Sequence, residues 1–149
     1  MIRYQCVLGF GPVSNTIAWF SGGDFAHVDA VLSDGRLLGA RLDNGVQIRE
    51  PDYQKWAKKV VFTLPVTPEK DAAWLSFLMA QIGKPYDKTA IWGFAAGRDW
   101  REPDSWFCSE LAAAALEVAG ACPVLYTPSN KITPSGFATV LSAVGAVAS

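Results

Sequence analysis

Histidine is almost missing from this chain: His27 is the only one among 149 residues. Cysteine is scarce too, with Cys6, Cys108 and Cys122 lying far apart. Together these shortages exclude a zinc site of the Cys/His kind, and three scattered thiols make no disulfide framework. Basic tracts are lacking as well, the longest being the Lys58-Lys59 pair, and 13 Lys+Arg stand against 14 Asp+Glu. Such a balance argues against a nucleic-acid partner. No apolar run is long enough to span a bilayer, the stretch 137–149 included, so stable membrane insertion is not expected. The opening "MIRYQCVLGFG" lacks the basic-then-apolar order of a signal peptide. The default expectation is therefore a cytoplasmic protein, with delivery to a cell wall by a lysis or phage route as the other possibility. Gly9-Phe10-Gly11-Pro12 starts like a phosphate loop, but proline stands where a further glycine is needed, and no cofactor is expected.

What is present is a chain that is 50% hydrophobic and 18% charged, long enough for one core, read as one domain over 1–149. Residues 3–9 read as a strand with Cys6 as a core filler, and 13–20 as a short helix stopped by Gly22-Gly23. From His27 onward, Val28, Ala30 and Leu32 alternate with His27, Asp29 and Val31, which predicts a strand with two unlike faces. "SDG" then signals a hairpin, "DNG" a second turn, and a further strand follows around Val46–Ile48. Trp56–Leu64 is another strand. Thr67-Pro68 opens a helix over 68–82 that Gly83 stops, and "KPYD" begins an irregular segment with a short helix at 88–96. A helix runs from Cys108 to Gly120 and a last one starts near Pro134. Strands gathered in the middle and flanked by helices make the expected class α+β.

Chemistry concentrates on "WFCSELAAAAL", where Cys108 enters the first turn of a helix. Free N–H groups there favour a thiolate, which is the nucleophilic form of cysteine, and also offer donors for a developing oxyanion. Thiol catalysis further needs an imidazole, for which His27 is the only candidate. His27 shares its strand face with Asp29, opposite the apolar face.

These residues carry a resemblance. "FSGGDFAHVDAVLSDGRLLGAR", "IGKPYD" and "WFCSELAAAAL" resemble the circularly permuted NlpC/P60 superfamily, specifically its YiiX/YaeF-like branch, over residues 14–118. The resemblance implies a papain-like α+β fold with an antiparallel sheet packed on helices, the histidine strand preceding the cysteine helix. It implies a thiol hydrolase of amide or ester bonds, acting on a small peptide or acyl substrate, with Cys108 and His27 as the catalytic pair. An acyltransferase or lipid amidase of the same fold, favoured by a long apolar groove beside Trp106 and Phe107, and a catalytically silent binding module are the alternatives. The residues expected to meet substrate are Arg41, Tyr86, Asp87 and Trp106, and Trp100 is a candidate wall of the cleft.

One position departs from the family pattern. The polar residue expected on the strand after the histidine strand is missing, and Gly39 stands there in Leu37-Leu38-Gly39-Ala40. A three-residue Ser33-Asp34-Gly35 turn with Gly35 left-handed sets Leu32 opposite Arg36, Asp29 opposite Gly39 and His27 opposite Arg41. Asp29 then has room across the ladder to orient the imidazole as the third catalytic residue. The competing role is an ion pair with Arg41. Glu110 is expected to be a solvated or a cap-supporting acid, and Cys122 to be inert.

Overall fold

The structure is a computed structural model that describes residues 1–12, 15, 17, 23–87, 106–123 and 132–149. The helix expected over 13–20 is described only at residues 15 and 17, and the helix expected over 88–96, with Trp100, lies outside the described residues. Six strands form one antiparallel sheet: β1 (Ile2–Gly9), β2 (His27–Val31), β3 (Leu37–Arg41), β4 (Gly45–Arg49), β5 (Trp56–Leu64) and β6 (Val147–Ala148). Their order across the sheet is β4-β3-β2-β1-β5-β6. With helices α1 (Pro68–Ala80), α2 (Cys108–Val118) and α3 (Pro134–Ala143), the fold is α+β.

Alternation in the strands decides where the helices go. Ile2, Tyr4, Cys6, Val28, Ala30, Leu38, Ala40, Phe62 and Leu64 present the apolar face that the helices cover with Trp74, Leu78, Leu111, Leu116, Phe137 and Leu141. Tyr4 is the hub of this layer. Its hydroxyl donates to the Ala112 carbonyl at 2.9 Å and accepts from the Trp74 indole at 2.6 Å. Its ring meets Trp74 and Phe137 edge-on, at centroid distances of 5.8 and 5.0 Å. Helix α2 is buried on nearly every side, from Cys108 to Ala113 and again at Ala115 and Leu116. Its alanines allow the close approach to the sheet that such burial needs.

The predicted turns form as their residues require. Gly35 has φ +89°, and Leu32 and Arg36 are joined by a 2.8 Å backbone bond across it. Ala30 faces Leu38 and Val31 faces Leu37, so the register matches the sequence expectation. Continuing it sets Asp29 against Gly39 and His27 against Arg41. Strand β5 covers the predicted span, and Gly83 ends the turn after α1 with φ +90°. Thr67 stands at the N-cap of α1 with Pro68 at N1, although its side chain makes no cap bond. Thr133 does cap α3, its hydroxyl accepting from the Gly136 N–H at 3.1 Å.

Strand β6 was not legible in the sequence. At two residues it is too short for periodicity, and pairing with Phe62 and Thr63 of β5 alone defines it.

Candidate active site

Cys108 is delivered by a relay of backbone bonds that begins at the "DNG" turn. Gly45 has φ +68°, and a Cβ there would run into the Lys84 carbonyl. The absence of that Cβ lets residues 83–84 lie along β4, through Val46 N–H to Lys84 O and Gly83 N–H to Val46 O, both 2.9 Å. Tyr86 then makes a short parallel bridge with Trp106, with Trp106 N–H to Pro85 O at 3.0 Å and Asp87 N–H to Trp106 O at 3.1 Å. Phe107 follows in extended conformation as the N-cap, and Cys108 is the first helical residue. Glu110 reaches back to accept from the Phe107 N–H at 3.3 Å, the cap-supporting role expected of it. The Ser109 hydroxyl donates to the Ile132 carbonyl at 2.5 Å, which ties the same turn to the approach to α3.

His27 opens β2. Its Nε2 lies 2.8 Å from Asp29 Oδ1, on a carboxylate that is 1% exposed. The Cys108 thiol lies near enough to the imidazole to act on its protonation. Burial works against a charged ring, but the charges of Asp29 and Cys108 and the bond to Asp29 outweigh it and push the imidazole up to about 9. Burial likewise opposes the Asp29 anion, and the imidazolium, with help from Tyr53 and Arg49, holds that carboxyl below its ordinary range.

The space at Gly39 is used as the register implied. A Cβ on Gly39 would overlap Asp29 Oδ1, the oxygen bonded to His27. The Asp29 carboxylate therefore occupies the room that any larger residue at position 39 would take. An Asp29–Arg41 ion pair does not form. The second carboxylate oxygen, Oδ2, accepts from the Tyr53 hydroxyl at 2.9 Å, and that hydroxyl accepts from Arg41 Nη1 at 3.1 Å. Arg41 also donates to Gln54 Oε1 at 2.8 Å and lies over the Tyr53 ring, 5.0 Å from its centroid. Arg49 donates to the Gly39 carbonyl at 3.0 Å and steadies this strand from behind.

Tyr53 and Trp56 belong to the site, yet sequence reasoning did not find them. Trp56 stacks on His27 with ring centroids 6.4 Å apart and planes 18° from parallel. A bulge brings it there: Leu8 faces Lys58 but Gly9 faces Trp56, so β5 gains a residue just beside the histidine. The only signal was an aromatic pair three positions apart in "DYQKW", a spacing that does not fit the strand Trp56 opens. Beside His27 a cavity of about 270 Å³ is lined by Phe10, Ile17, Arg41, Leu42, Gln54, Trp56 and Tyr86, among others.

The structure thus brings together Cys108, His27, Asp29, Arg41 and Tyr86. Tyr86 is buried against Phe107 with centroids 5.7 Å apart, and burial and the nearby Cys108 charge push its hydroxyl well above the ordinary tyrosine range. Asp87 is buried behind it and does not line the cavity. Trp106 faces α1 instead, donating to Gln81 Oε1 at 3.1 Å and packing edge-on against Phe77. Phe107 is buried. Cys6 is buried on β1 beside the site and Cys122 away from it, and burial pushes both thiols up. Among the described residues there is no cluster of three or more His, Cys, Asp or Glu able to hold a metal ion, and no helix long and apolar enough to cross a membrane. In comparison with known proteins, the chain matches no protein-family model and no curated sequence.

Proposed function

We propose that this protein is a papain-like thiol hydrolase of the circularly permuted NlpC/P60 type, cleaving amide or ester bonds with Cys108 as nucleophile. The observation that carries the reading is the His27–Asp29 pair: a carboxylate in the space over Gly39, bonded to one imidazole nitrogen, with the Cys108 thiol near enough to act on the ring's protonation. The β2-β3 hairpin and the distant helix α2 converge there, and a thiol beside an oriented, positively charged ring is what nucleophilic catalysis by cysteine requires.

In the reaction, Cys108 Sγ as thiolate attacks the carbonyl carbon and forms a C–S bond. The first-turn N–H groups of α2 face the developing oxyanion. The imidazolium of His27 gives its proton to the departing amine or alcohol as the scissile bond breaks, leaving a thioester. Water then attacks that thioester, with His27 accepting its proton, and the acid departs as Cys108 is regenerated. Asp29 holds the ring in position throughout and does not transfer a proton. The acyl part of the substrate lies in the cavity beside His27, against Phe10, Ile17, Leu42 and Trp56, with Arg41 and Gln54 as its polar contacts. A polar residue missing at position 39 favours the silent module, and the Asp29 carboxylate in that space supports the hydrolase over it.

The test is acylation of the protein by activated esters of short acyl chains and of N-acyl amino acids, followed by mass spectrometry. Wild type acquires one acyl group on Cys108 and loses it to water, while Cys108→Ala acquires none. A wild-type protein that is never acylated by either series overturns the reading.

A further inference from the structure

Asp29 has two rivals for its charge. His27 bonds one oxygen, and the Arg41 guanidinium stands on the other side, separated from the carboxylate only by the Tyr53 hydroxyl. A guanidinium and a carboxylate this close to each other ordinarily join directly, because two parallel N–H···O bonds form between them. Here they do not. The Tyr53 oxygen has one proton, which it gives to Asp29 Oδ2, and a lone pair, which it offers to Arg41 Nη1. Gln54 Oε1 takes Arg41 Nη2, and the guanidinium is further held over the Tyr53 and Trp56 rings, at 5.0 and 5.9 Å from their centroids.

We propose that Tyr53 is a positioning residue that reserves Asp29 for His27 by keeping the Arg41 guanidinium off the carboxylate. Among the described residues, its hydroxyl is the only group bonded to both. Remove it, and Arg41 loses an acceptor at the moment Asp29 Oδ2 loses its donor. Two unsatisfied partners, one of them buried, then close on each other. Once Asp29 is shared with a permanent cation, its hold on the imidazole weakens. Because Arg41 also lines the cavity, the same relay joins the cavity wall to the catalytic pair. The proposal rests on the hydrolase reading only for its catalytic consequence; the contacts themselves are independent of any substrate.

Besides Asp29 and Tyr53, the titratable and charged groups facing this pair are Cys108 on α2, Cys6 on β1, Arg41 at the end of β3, Arg49 on β4, and Tyr86. None of these has Tyr53's position between two partners, so a cycle of variants isolates its effect. His27 is the only histidine, and its ring proton signals can be followed by NMR across a pH titration without ambiguity.

Tyr53→Phe keeps the ring and its contacts and removes only the oxygen. The imidazole in that variant is expected to titrate lower than in wild type by about one pH unit or more, since the carboxylate that favours its charged form is then shared with a second cation. Arg41→Met alone is expected to leave the titration at or above the wild-type value. Tyr53→Phe combined with Arg41→Met is expected to recover most of the loss, since no guanidinium remains to take Asp29. A Tyr53→Phe titration equal to wild type, or a double variant no different from Tyr53→Phe, overturns the proposal. Should Tyr53→Phe fail to fold, Arg41→Met and the double variant still decide: a double variant titrating well below Arg41→Met refutes it. Because no turnover enters the measurement, failure of the relay and failure of the hydrolase reading are separately visible.

Discussion

One methyl group placed at Gly39 should damage a histidine twelve positions earlier in the chain. Gly39 does not have a positive φ, so the backbone accepts alanine, and the whole cost comes from space. The new Cβ would overlap Asp29 Oδ1 and lie 3.2 Å from both Asp29 Cγ and the Val28 carbonyl. The carboxylate must withdraw, and the oxygen displaced is the one bonded to His27 Nε2. At 1% exposure no water can replace the lost partner. A charge-assisted bond of this kind is worth about 1.5–3 kcal/mol. The rise of the imidazole from 6.5 to about 9 gives a similar figure of about 3 kcal/mol for the same set of contacts. The two are alternative measures of overlapping interactions and are not summed. Gly39→Ala is therefore expected to destabilise the protein by about 2–3 kcal/mol near neutral pH.

The control is the same substitution in an Asp29→Ala background. With the carboxylate gone, the methyl enters vacated space and should cost less than about 1 kcal/mol, leaving a coupling of about 2 kcal/mol between the two positions. Urea unfolding followed by tryptophan fluorescence measures each corner of the cycle, and an NMR titration of His27 should fall toward 6.5 in Gly39→Ala. Equal costs for Gly39→Ala in the two backgrounds would refute the reasoning, because Asp29 would then not be what fills the space.

Iodoacetamide at about pH 6 should modify Cys108 ahead of Cys6 and Cys122, whose thiols burial holds protonated, and His27→Ala should slow that labelling; prior modification of Cys122 would contradict the assignment. Asp29→Asn should lower turnover of an activated ester by about 10²–10⁴-fold, and Asp29→Ala with Gly39→Glu should recover part of what Asp29→Ala alone loses. The folded imidazole titrates above its unfolded value, so its contribution to stability is complete below about pH 6.5 and disappears as pH rises through about 9. The stability gap between wild type and His27→Gln should accordingly narrow over that window, and a gap that widens would have the wrong sign. Gly45→Ala should lower the melting temperature sharply, at a cost of about 2 kcal/mol or more, since φ +68° and the Lys84 carbonyl both oppose a side chain.

Much of the frame was legible because local rules decide it. The alternation of Val28, Ala30 and Leu32, the "SDG" turn with Gly35 left-handed, and the span of β5 each depend on residues within a few positions of one another. The placing of Cys108 at the first position of α2 is of the same kind. Even the vacancy opposite Asp29 followed from counting across a hairpin. By itself, then, the sequence determined the class α+β, the hairpin register and the identity of the few residues able to do thiol chemistry. Tertiary structure decided which of them meet, and what stands between them. No period links Tyr53 to Asp29, 24 residues away, and only the path of the chain before β5 carries that hydroxyl onto the carboxylate. Trp56 reached His27 through a bulge, which shifts one strand against its neighbour and leaves no mark in composition. Trp106 went the other way: next to the cysteine in sequence, it points to Gln81 and Phe77, because the Tyr86 bridge fixes its backbone before the helix begins. Covalent neighbours are set by the order of residues, but which charged groups share a buried space depends on packing between segments that no local rule connects.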